Sequence, residues 1–374
     1  MKTSITNKLN IPWWYTELGK PEINAINNAI NNKNISQGIV TDEFEKELAK
    51  ILNVPYIVCT TNGTVALTLS FLASGIGPGD EVIIPNRTYV ASANSFMILG
   101  AVPILIDSRK DRPNINEDLI ENKITSRTKA ILPVHLNGNA VDMDKINIIA
   151  KKHKLVVIED ACPSFMSKFP NQNNFLGTRS RFGCFSLGVV KLITTGQGGF
   201  VACHNKEDYN ILKKIKMQGA NEKGDDVVFD RLSGNYKFTD MLASVGLAQI
   251  NRLKKRIEHQ KTIYDMYKEG LKGISFLKLI EVEKSKGELP LRIECLCTER
   301  FQFMNIMKTK GVSILTNIKN LNQSPHIEDN GSYPNSDVYG EQLVVLPCGP
   351  DQPLENIEYT IDIIKNLNGD FTQI

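Results

Sequence analysis

CFSLGVVKLITTGQGG, at residues 184–199, places a single lysine between apolar neighbours and follows it with a glycine-rich turn. Burial penalises the charged form of a lysine, so we expect the pKa of Lys191 to fall and its neutral amine to act as a nucleophile that can form a Schiff base. Ser186 lies five residues earlier and offers a hydroxyl to a phosphate group. The combination indicates a lysine that carries pyridoxal phosphate (PLP), although the stretch alone fits a loop between two strands equally well.

The composition is that of a globular protein: of 374 residues, 41% are hydrophobic and 23% charged, with a formal net charge of +3. Such a chain is long enough for one large domain and a smaller one. No basic patch is interleaved with aromatic residues, which argues against nucleic-acid binding. Seven cysteines without metal-ligand spacing fit reduced thiols in a cytoplasmic protein, and no metal site is predicted. No signal peptide and no apolar run of about 18 residues is found, so no membrane span is expected.

Apolar runs that alternate with helical spacings predict a mainly parallel sheet flanked by helices. The runs cover residues 55–59, 81–85, 102–107, 129–135 and 155–160. Ligands of such sheets bind beyond the carboxyl ends of the strands. Three features follow strand ends here: the Asn62-Gly63-Thr64 turn, Tyr89 and Asp160. The turn can offer free backbone N–H groups to a phosphate, but a plain strand-to-helix turn is equally consistent.

Flanking segments complete the predicted architecture. Ile23, Ile26 and Ile30 have helical spacing, and Thr41 is the expected N-cap of a second helix. Beyond residue 206 the chain is more charged and more helical, with a loop predicted at 225–230 and a helix beginning near Thr239-Asp240. We place the domain boundary near residue 250, which gives a large PLP-binding α/β domain at 1–250 and a small α+β domain at 251–374.

Several segments, taken together and in order, resemble the DegT-type sugar aminotransferases, which are PLP-dependent enzymes of the aspartate aminotransferase fold, called fold type I. The matching segments are 62–67, 75–82, 138–144, 159–161, 185–199 and 235–240. The resemblance implies a large domain built on a mainly parallel seven-stranded sheet flanked by helices, a smaller α+β C-terminal domain, and PLP as the cofactor.

The resemblance also implies roles for single residues. Lys191 would be the Schiff-base lysine and proton shuttle, and Asp160 would pair with the pyridinium nitrogen and keep the ring an electron sink. Tyr89 would stack on the ring. From the residues alone, Asp160 could instead cap a helix and Tyr89 could be a core side chain. The remaining cofactor contacts would be to the phosphate: Gly63, Thr64 and Ser186 from the same chain, and Asn235 from the neighbouring subunit of a homodimer with shared active sites.

Three residues and one segment depart from the family pattern. Pro163 stands where Gln or His is usual, Leu242 replaces a common Gln, and Lys237 stands in place of an arginine. The segment 315–325 lacks the usual Pro-Leu-His motif. The cofactor site is therefore expected to be intact, while the acceptor site is expected to be remodelled.

The sequence thus predicts a transaminase that moves an amino group from an amino acid, expected to be L-glutamate, to a keto group on a nucleotide-linked keto-sugar, in surface polysaccharide or amino-sugar biosynthesis. One alternative is a small phosphorylated ketone acceptor such as dihydroxyacetone phosphate. Another, of a different class, is a PLP-binding regulatory protein without turnover. A dehydratase of the same family fits less well, because those enzymes have histidine in place of the lysine. A dinucleotide-binding protein is disfavoured because no Gly-x-Gly-x-x-Gly follows a strand.

Overall fold

The computed structural model describes residues 10–223, 226–316 and 318–367, and only the backbone of 221–223 and 226. Up to residue 160 the elements are α1 (Lys20–Asn31), α2 (Ile39–Leu52), β1 (Tyr56–Thr60), α3 (Gly63–Ala73), β2 (Glu81–Pro85), α4 (Val90–Met97), β3 (Val102–Ile106), β4 (Thr128–Ile131), α5 (Met143–His153) and β5 (Val156–Asp160). The rest are β6 (Phe182–Ser186), β7 (Gly199–Cys203), α6 (Lys206–Lys216), β8 (Ala220–Lys223), β9 (Asp226–Phe229), α7 (Asp240–Ile250), α8 (Leu253–Gly270), β10 (Leu277–Leu279), β11 (Ile293–Cys297), α9 (Arg300–Thr309), β12 (Leu315–Thr316), α10 (Pro334–Gln342), β13 (Leu343–Leu346) and α11 (Leu354–Leu367).

The predicted sheet is present and has seven strands in the order β1-β7-β6-β5-β4-β2-β3. Strands β2 to β6 pair in parallel, and β7 is antiparallel to both of its neighbours, β1 and β6. The register pairs Gly199 with both Thr60 and Ser186. The carboxyl ends of β1, β2, β5 and β6 therefore meet at one edge of the sheet, as the alternation of strands and helices predicted.

Apolar side chains cover both faces of this sheet, which is why its strands are apolar throughout rather than alternating. Phe71 of α3 and Phe96 of α4 pack edge to face in the core of one face, with ring centroids 5.1 Å apart. In the core of the other face, Phe185 and Phe200 stack at 4.6 Å beneath α2. Burial of each such ring contributes about 1.5–3 kcal/mol, so the sheet is a rigid support for its loops.

A second, four-stranded antiparallel sheet, in the order β10-β11-β13-β12, lies in the C-terminal part of the chain. Its core includes side chains of α8, α9 and α11. The chain's N-terminal segment joins this part as well, since Ile11 bridges Val312 and Trp14 bridges Cys348. The boundary predicted near residue 250 falls between α7 and α8 and stays a prediction.

Two local predictions were wrong. The residues predicted as a loop at 225–230 include β9, which pairs with β8 in a hairpin. Helix α2 begins at Ile39, so Thr41 is not its N-cap. The helix predicted from the spacing of Ile23, Ile26 and Ile30 is present as α1, although Ile23 and Ile30 are 58% and 50% exposed and the buried residues of α1 are Glu22 and Ala29.

The true cap of α2 comes from a distant part of the chain. The Asp240 carboxylate accepts hydrogen bonds from the backbone N–H groups of Gly38 and Thr41, at 2.8 and 2.9 Å, and from the Thr41 hydroxyl at 2.7 Å. An aspartate at this position satisfies free N–H groups and complements the helix dipole. Among the described residues, none of the helices is long and apolar enough to span a membrane.

Candidate active site

Asp160 ends β5 at the edge where the strand ends meet, and its side chain is buried. One carboxylate oxygen accepts the Ser92 hydroxyl at 2.7 Å, and the other accepts the backbone N–H of Cys162 at 3.0 Å. Because the single Ser92 proton is used on Asp160, the Thr88 hydroxyl must be the donor in its 2.9 Å contact with Ser92. The carboxylate is therefore held in one orientation by a chain of hydroxyls from the β2–α4 turn and from α4.

The turn between β1 and α3 forms a cradle at the same edge. Asn62 caps α3 by accepting the Val65 N–H at 2.9 Å, which leaves the first N–H groups of the helix pointing outward. A Cβ on Gly63 would lie 2.9 Å from the Cβ of Ser186 and 2.8 Å from the Sγ of Cys162. Only glycine permits this approach, and it brings the backbone of α3 beside the Ser186 hydroxyl.

Lys191 lies on the loop between β6 and β7. The two ends of this loop are tied together, because Leu187 donates to Gly198 at 2.8 Å and Thr195 donates to Leu187 at 3.0 Å. Burial lowers the pKa of Lys191, and the nearby Arg292 cation lowers it further, against the opposing effects of Cys162 and Asp160. A neutral amine is thus available at lower pH than on an ordinary lysine, as the sequence predicted.

The other predicted site residues, Thr64, Tyr89 and Asn235, differ in their exposure to solvent and in their contacts. Thr64 is half-buried in the first turn of α3, and Tyr89 is the 61% exposed residue preceding α4. Asn235 is exposed, and its side-chain oxygen accepts the backbone N–H of Lys237 at 3.4 Å. Within the described part of one chain, no hydrogen bond links Asn235 to Ser186 or Lys191. The structure therefore brings Gly63, Asp160, Ser186 and Lys191 to one site, and among the described residues Asn235 makes no hydrogen bond to any of them.

Sequence reasoning missed several residues of this site. Ser92 carried a usable signal, since it follows the candidate Tyr89 by three residues on a predicted helix and so shares its side of the helix. Arg292 and Trp14 carried none, because they come from opposite ends of the chain to the pocket that holds Lys191, Cys162 and Pro163. Pro163 has no side-chain hydrogen-bond donor or acceptor, as expected from the replacement of Gln or His by proline.

These residues fit PLP. The close contact of Gly63 with Ser186 leaves a cradle of backbone N–H groups and the Ser186 hydroxyl, which is suited to a phosphate. Asp160 is a fixed, buried carboxylate suited to pairing with a pyridinium nitrogen. Lys191 has a lowered pKa, which suits an amine that forms an imine. The fold and the site together define a PLP-dependent enzyme of fold type I.

Comparisons with known proteins support the same class of enzyme. The DegT/DnrJ/EryC1/StrS aminotransferase family model matches residues 16–365. GDP-perosamine synthase of Escherichia coli O157:H7 is 32% identical over 96% of this chain and 99% of its own length. The GDP-perosamine synthase of Vibrio cholerae is 29% identical over 95% and 98% of the two chains. The solved structure of Spr1654 from Streptococcus pneumoniae in its PMP form superposes with a TM-score of 0.91, at 24% identity and with 97% and 99% coverage, a likeness that shows the fold.

The chain therefore belongs to the DegT/DnrJ/EryC1/StrS aminotransferase family. The predictions of the family, the fold, an aminotransferase as the class of enzyme, and PLP as the cofactor of that class are confirmed. The roles of the single site residues stay predictions.

Proposed function

We propose that the protein transfers an amino group from L-glutamate to the keto group of a nucleotide-linked keto-sugar, in the cytoplasm, for amino-sugar or surface polysaccharide biosynthesis. The observation that carries the proposal is the convergence of Lys191, Asp160 and the Gly63–Ser186 cradle at one edge of the sheet. Bound there, PLP supplies an electron sink for the carbon that carries the amino group.

Each residue then has one task. The N-terminus of α3 and the Ser186 hydroxyl bind the phosphate, with Thr64 adding a hydroxyl. Asp160, oriented by Ser92, holds a proton on the ring nitrogen, and the exposed ring of Tyr89 covers the cofactor. Lys191 Nζ binds the cofactor and moves a proton to and from the substrate carbon, a task that requires its amine to lose its own proton.

The relationship to GDP-perosamine synthases supports a GDP-linked sugar as the acceptor, since their name identifies the product as a GDP-linked amino sugar. The segment that departs from the family pattern, 315–325, is anchored to the β2–α4 turn, the loop that carries Tyr89. Asn86 of that loop accepts the backbone N–H of Leu321 at 2.9 Å and that of Asn322 at 3.0 Å. Asn317 lies outside the described residues. Through these hydrogen bonds the segment 315–325 lies next to the turn that carries Tyr89, where it can affect which acceptor binds.

A panel of acceptors tests the proposal. With L-glutamate as donor, we expect kcat/KM to be highest on a GDP-linked keto-sugar, lower on keto-sugars linked to other nucleotides, and at least about 100-fold lower on dihydroxyacetone phosphate, which lacks the contacts of the nucleotide. Steady-state release of 2-oxoglutarate is the measurement. A higher kcat/KM on dihydroxyacetone phosphate would reject the keto-sugar and leave transamination in place.

We also propose that the protein is a homodimer in which each active site uses residues of both chains. Five large apolar side chains before and within the first two helices are at least half exposed: Leu18, Ile23, Ile30, Ile35 and Ile39, at 56, 58, 50, 56 and 74%. Exposed apolar side chains concentrated in one segment, here 18–39, are a feature of surfaces that another chain covers. Asn235 is exposed and makes no hydrogen bond to Ser186 or Lys191 of its own chain among the described residues, which fits a contact to the phosphate bound by a partner.

Mixing an inactive variant with one that retains PLP poorly tests whether sites are shared. Asn235→Ala is expected to weaken PLP retention about 10-fold, the loss of one hydrogen bond to a charged phosphate. When Lys191→Ala and Asn235→Ala chains are combined in one dimer, a shared arrangement gives one site with both lesions and one with neither, so activity returns to about half of the wild type per dimer. The measurement is turnover at limiting PLP after subunit exchange, with exchange verified by native mass spectrometry.

If Asn235 instead serves its own subunit, every site of the mixed dimer carries one lesion. The mixed dimer then has no more activity than the Asn235→Ala protein alone, and that outcome would reject the shared site. Asn173→Ala, a substitution of the same type at another exposed position, is the control.

A further inference from the structure

A hydrogen-bond network beside the loop between β6 and β7 has Arg256 of α8 at its centre. The side chain of Arg256 is buried, and all five of its N–H donors have acceptors. Nη1 donates to the Leu192 carbonyl at 3.2 Å and to the side-chain oxygen of Gln249. Nε and Nη2 donate to the two oxygens of Asp351 at 3.2 and 2.5 Å, and Nη2 also donates to the Glu17 carbonyl at 3.1 Å. Because the five donors lie in one rigid plane, these contacts hold the guanidinium in a single orientation.

Two of these contacts fix the backbone that directly follows Lys191. Leu192 is the next residue, and among the described residues its carbonyl makes the hydrogen bond of this loop that is nearest to Lys191 in sequence. Gln249 acts on the same stretch, since its side-chain oxygen accepts the Thr194 N–H at 3.4 Å as well as the donor from Arg256. Leu192 and Thr194 are buried. Their backbone groups therefore depend on these side chains rather than on water.

The other edge of the guanidinium is anchored to distant parts of the chain. Asp351 follows β13 and binds Arg256 through two parallel hydrogen bonds, a geometry that combines charge with orientation. The same carboxylate accepts the Glu17 N–H at 2.9 Å and an N–H of Arg252 at 3.2 Å. Arg256 cannot turn without breaking this largely buried ion pair, which would be costly. The anchor at Asp351 therefore fixes the position of the donor that holds the Leu192 carbonyl.

We propose that Arg256 is a positioning residue for the transfer of the amino group. By holding the Leu192 carbonyl, it fixes the backbone from which the Lys191 side chain extends, and so the place at which Nζ meets the cofactor and the substrate carbon. A displacement of about 1 Å at a reacting group can lower a rate about 100-fold. Arg256 acts through the backbone and needs no contact of its own with cofactor or substrate. The inference rests on the proposed transaminase function and adds to it a residue that acts through Lys191.

A matched pair of variants separates this role from the mere joining of chain segments. Arg256→Lys keeps a cation beside Asp351, but an ammonium group lacks the rigid fork that reaches both the carboxylate and the Leu192 carbonyl. Arg252→Lys is the control. Arg252 lies about one turn earlier, at the start of α8, and binds the same carboxylate of Asp351. Among the described residues, its side chain donates no hydrogen bond to Leu192 or Gln249.

Two measurements on the PLP-loaded protein do not depend on turnover. The first is hydrogen–deuterium exchange of residues 188–198, which is expected to be at least about fivefold faster in Arg256→Lys than in the wild type. The second is the pH dependence of the PLP absorption band, which reports the pKa of the imine nitrogen that joins the cofactor to Lys191. Its midpoint is expected to move by at least about 0.5 pH unit, the size that one hydrogen bond accounts for. Arg252→Lys is expected to match the wild type in both.

Steady-state kinetics are the third measurement. Arg256→Lys is expected to lower kcat with L-glutamate about 10- to 100-fold and to change KM less than about threefold, because a displaced lysine slows proton transfer without removing a contact to the substrate. Gln249→Met removes the other side-chain contact to the loop and no charge. It is expected to show the same changes at smaller size, and it remains informative if Arg256→Lys does not fold.

Two results would overturn the inference. One is wild-type exchange, absorption and kcat in folded Arg256→Lys and Gln249→Met proteins. The other is equal changes in Arg252→Lys and Arg256→Lys, which would show that both arginines only join α8 to the neighbouring segments. If exchange at 188–198 and the absorption midpoint respond to Arg256→Lys but the wild type converts no amino acid, the transaminase proposal fails while the positioning of Lys191 stands.

Discussion

Transamination is expected to stop when Lys191 is replaced by alanine, with kcat falling at least about 10⁴-fold. The variant loses both the amine that binds the cofactor covalently and the base that moves the substrate proton. No other lysine lines the Lys191 pocket in the described part of the chain, so no neighbour can replace it. The measurement is release of 2-oxoglutarate, together with loss of the PLP absorption band when L-glutamate is added.

Two further substitutions make the result specific. Lys191→Arg keeps a cation in the pocket but cannot release its proton near neutral pH, so it should be as inactive as the alanine variant. Lys129→Ala removes an exposed lysine of β4 and should leave kcat unchanged. Activity of Lys191→Ala within about tenfold of the wild type would show that another group performs the proton transfer.

The sequence sufficed to predict the sheet and the residues at its edge because both depend on local patterns. Strand β2 is found where the apolar run 81–85 predicted it, and β5 ends at Asp160 as predicted. Once strands alternate with helices, the carboxyl ends must share one edge. The Asn62-Gly63-Thr64 turn and Asp160 could therefore be placed together without knowledge of the packing.

The features that escaped prediction depend on contacts between distant parts of the chain. Asp240 caps a helix that begins some 200 residues earlier, so no local pattern could identify it as the cap of α2. The stacking of Arg292 on Trp13 joins an N-terminal segment to the second sheet. The spacing of Ile23, Ile26 and Ile30 correctly predicted helix α1, but periodicity shows only that a face is apolar and not whether its own chain or another covers it.

Replacement of Asp160 is expected to lower kcat at least about 100-fold even when PLP is saturating. The carboxylate is buried, and each of its oxygens accepts one hydrogen bond, from Ser92 at 2.7 Å and from Cys162 at 3.0 Å. A negative charge fixed in this way favours a proton on the ring nitrogen, and a preorganised electrostatic contact of this kind contributes about 10²–10³-fold to kcat. Asp160→Ala removes the charge, and Asp160→Asn removes it with little change of shape.

Both Asp160 variants should therefore show the same deficit, because the charge rather than the volume of the side chain is what acts. Ser92→Ala keeps the charge and loses only its orienting hydrogen bond, so a decrease of about 10-fold is expected. Asp144→Ala, which removes an exposed aspartate paired with Arg179 outside the site, serves as the control with unchanged kcat. The measurement is kcat with L-glutamate across a PLP titration. If excess PLP restored the wild-type kcat in Asp160→Ala, the carboxylate would contribute to cofactor binding alone, since an electrostatic role in the reaction cannot be replaced by occupancy.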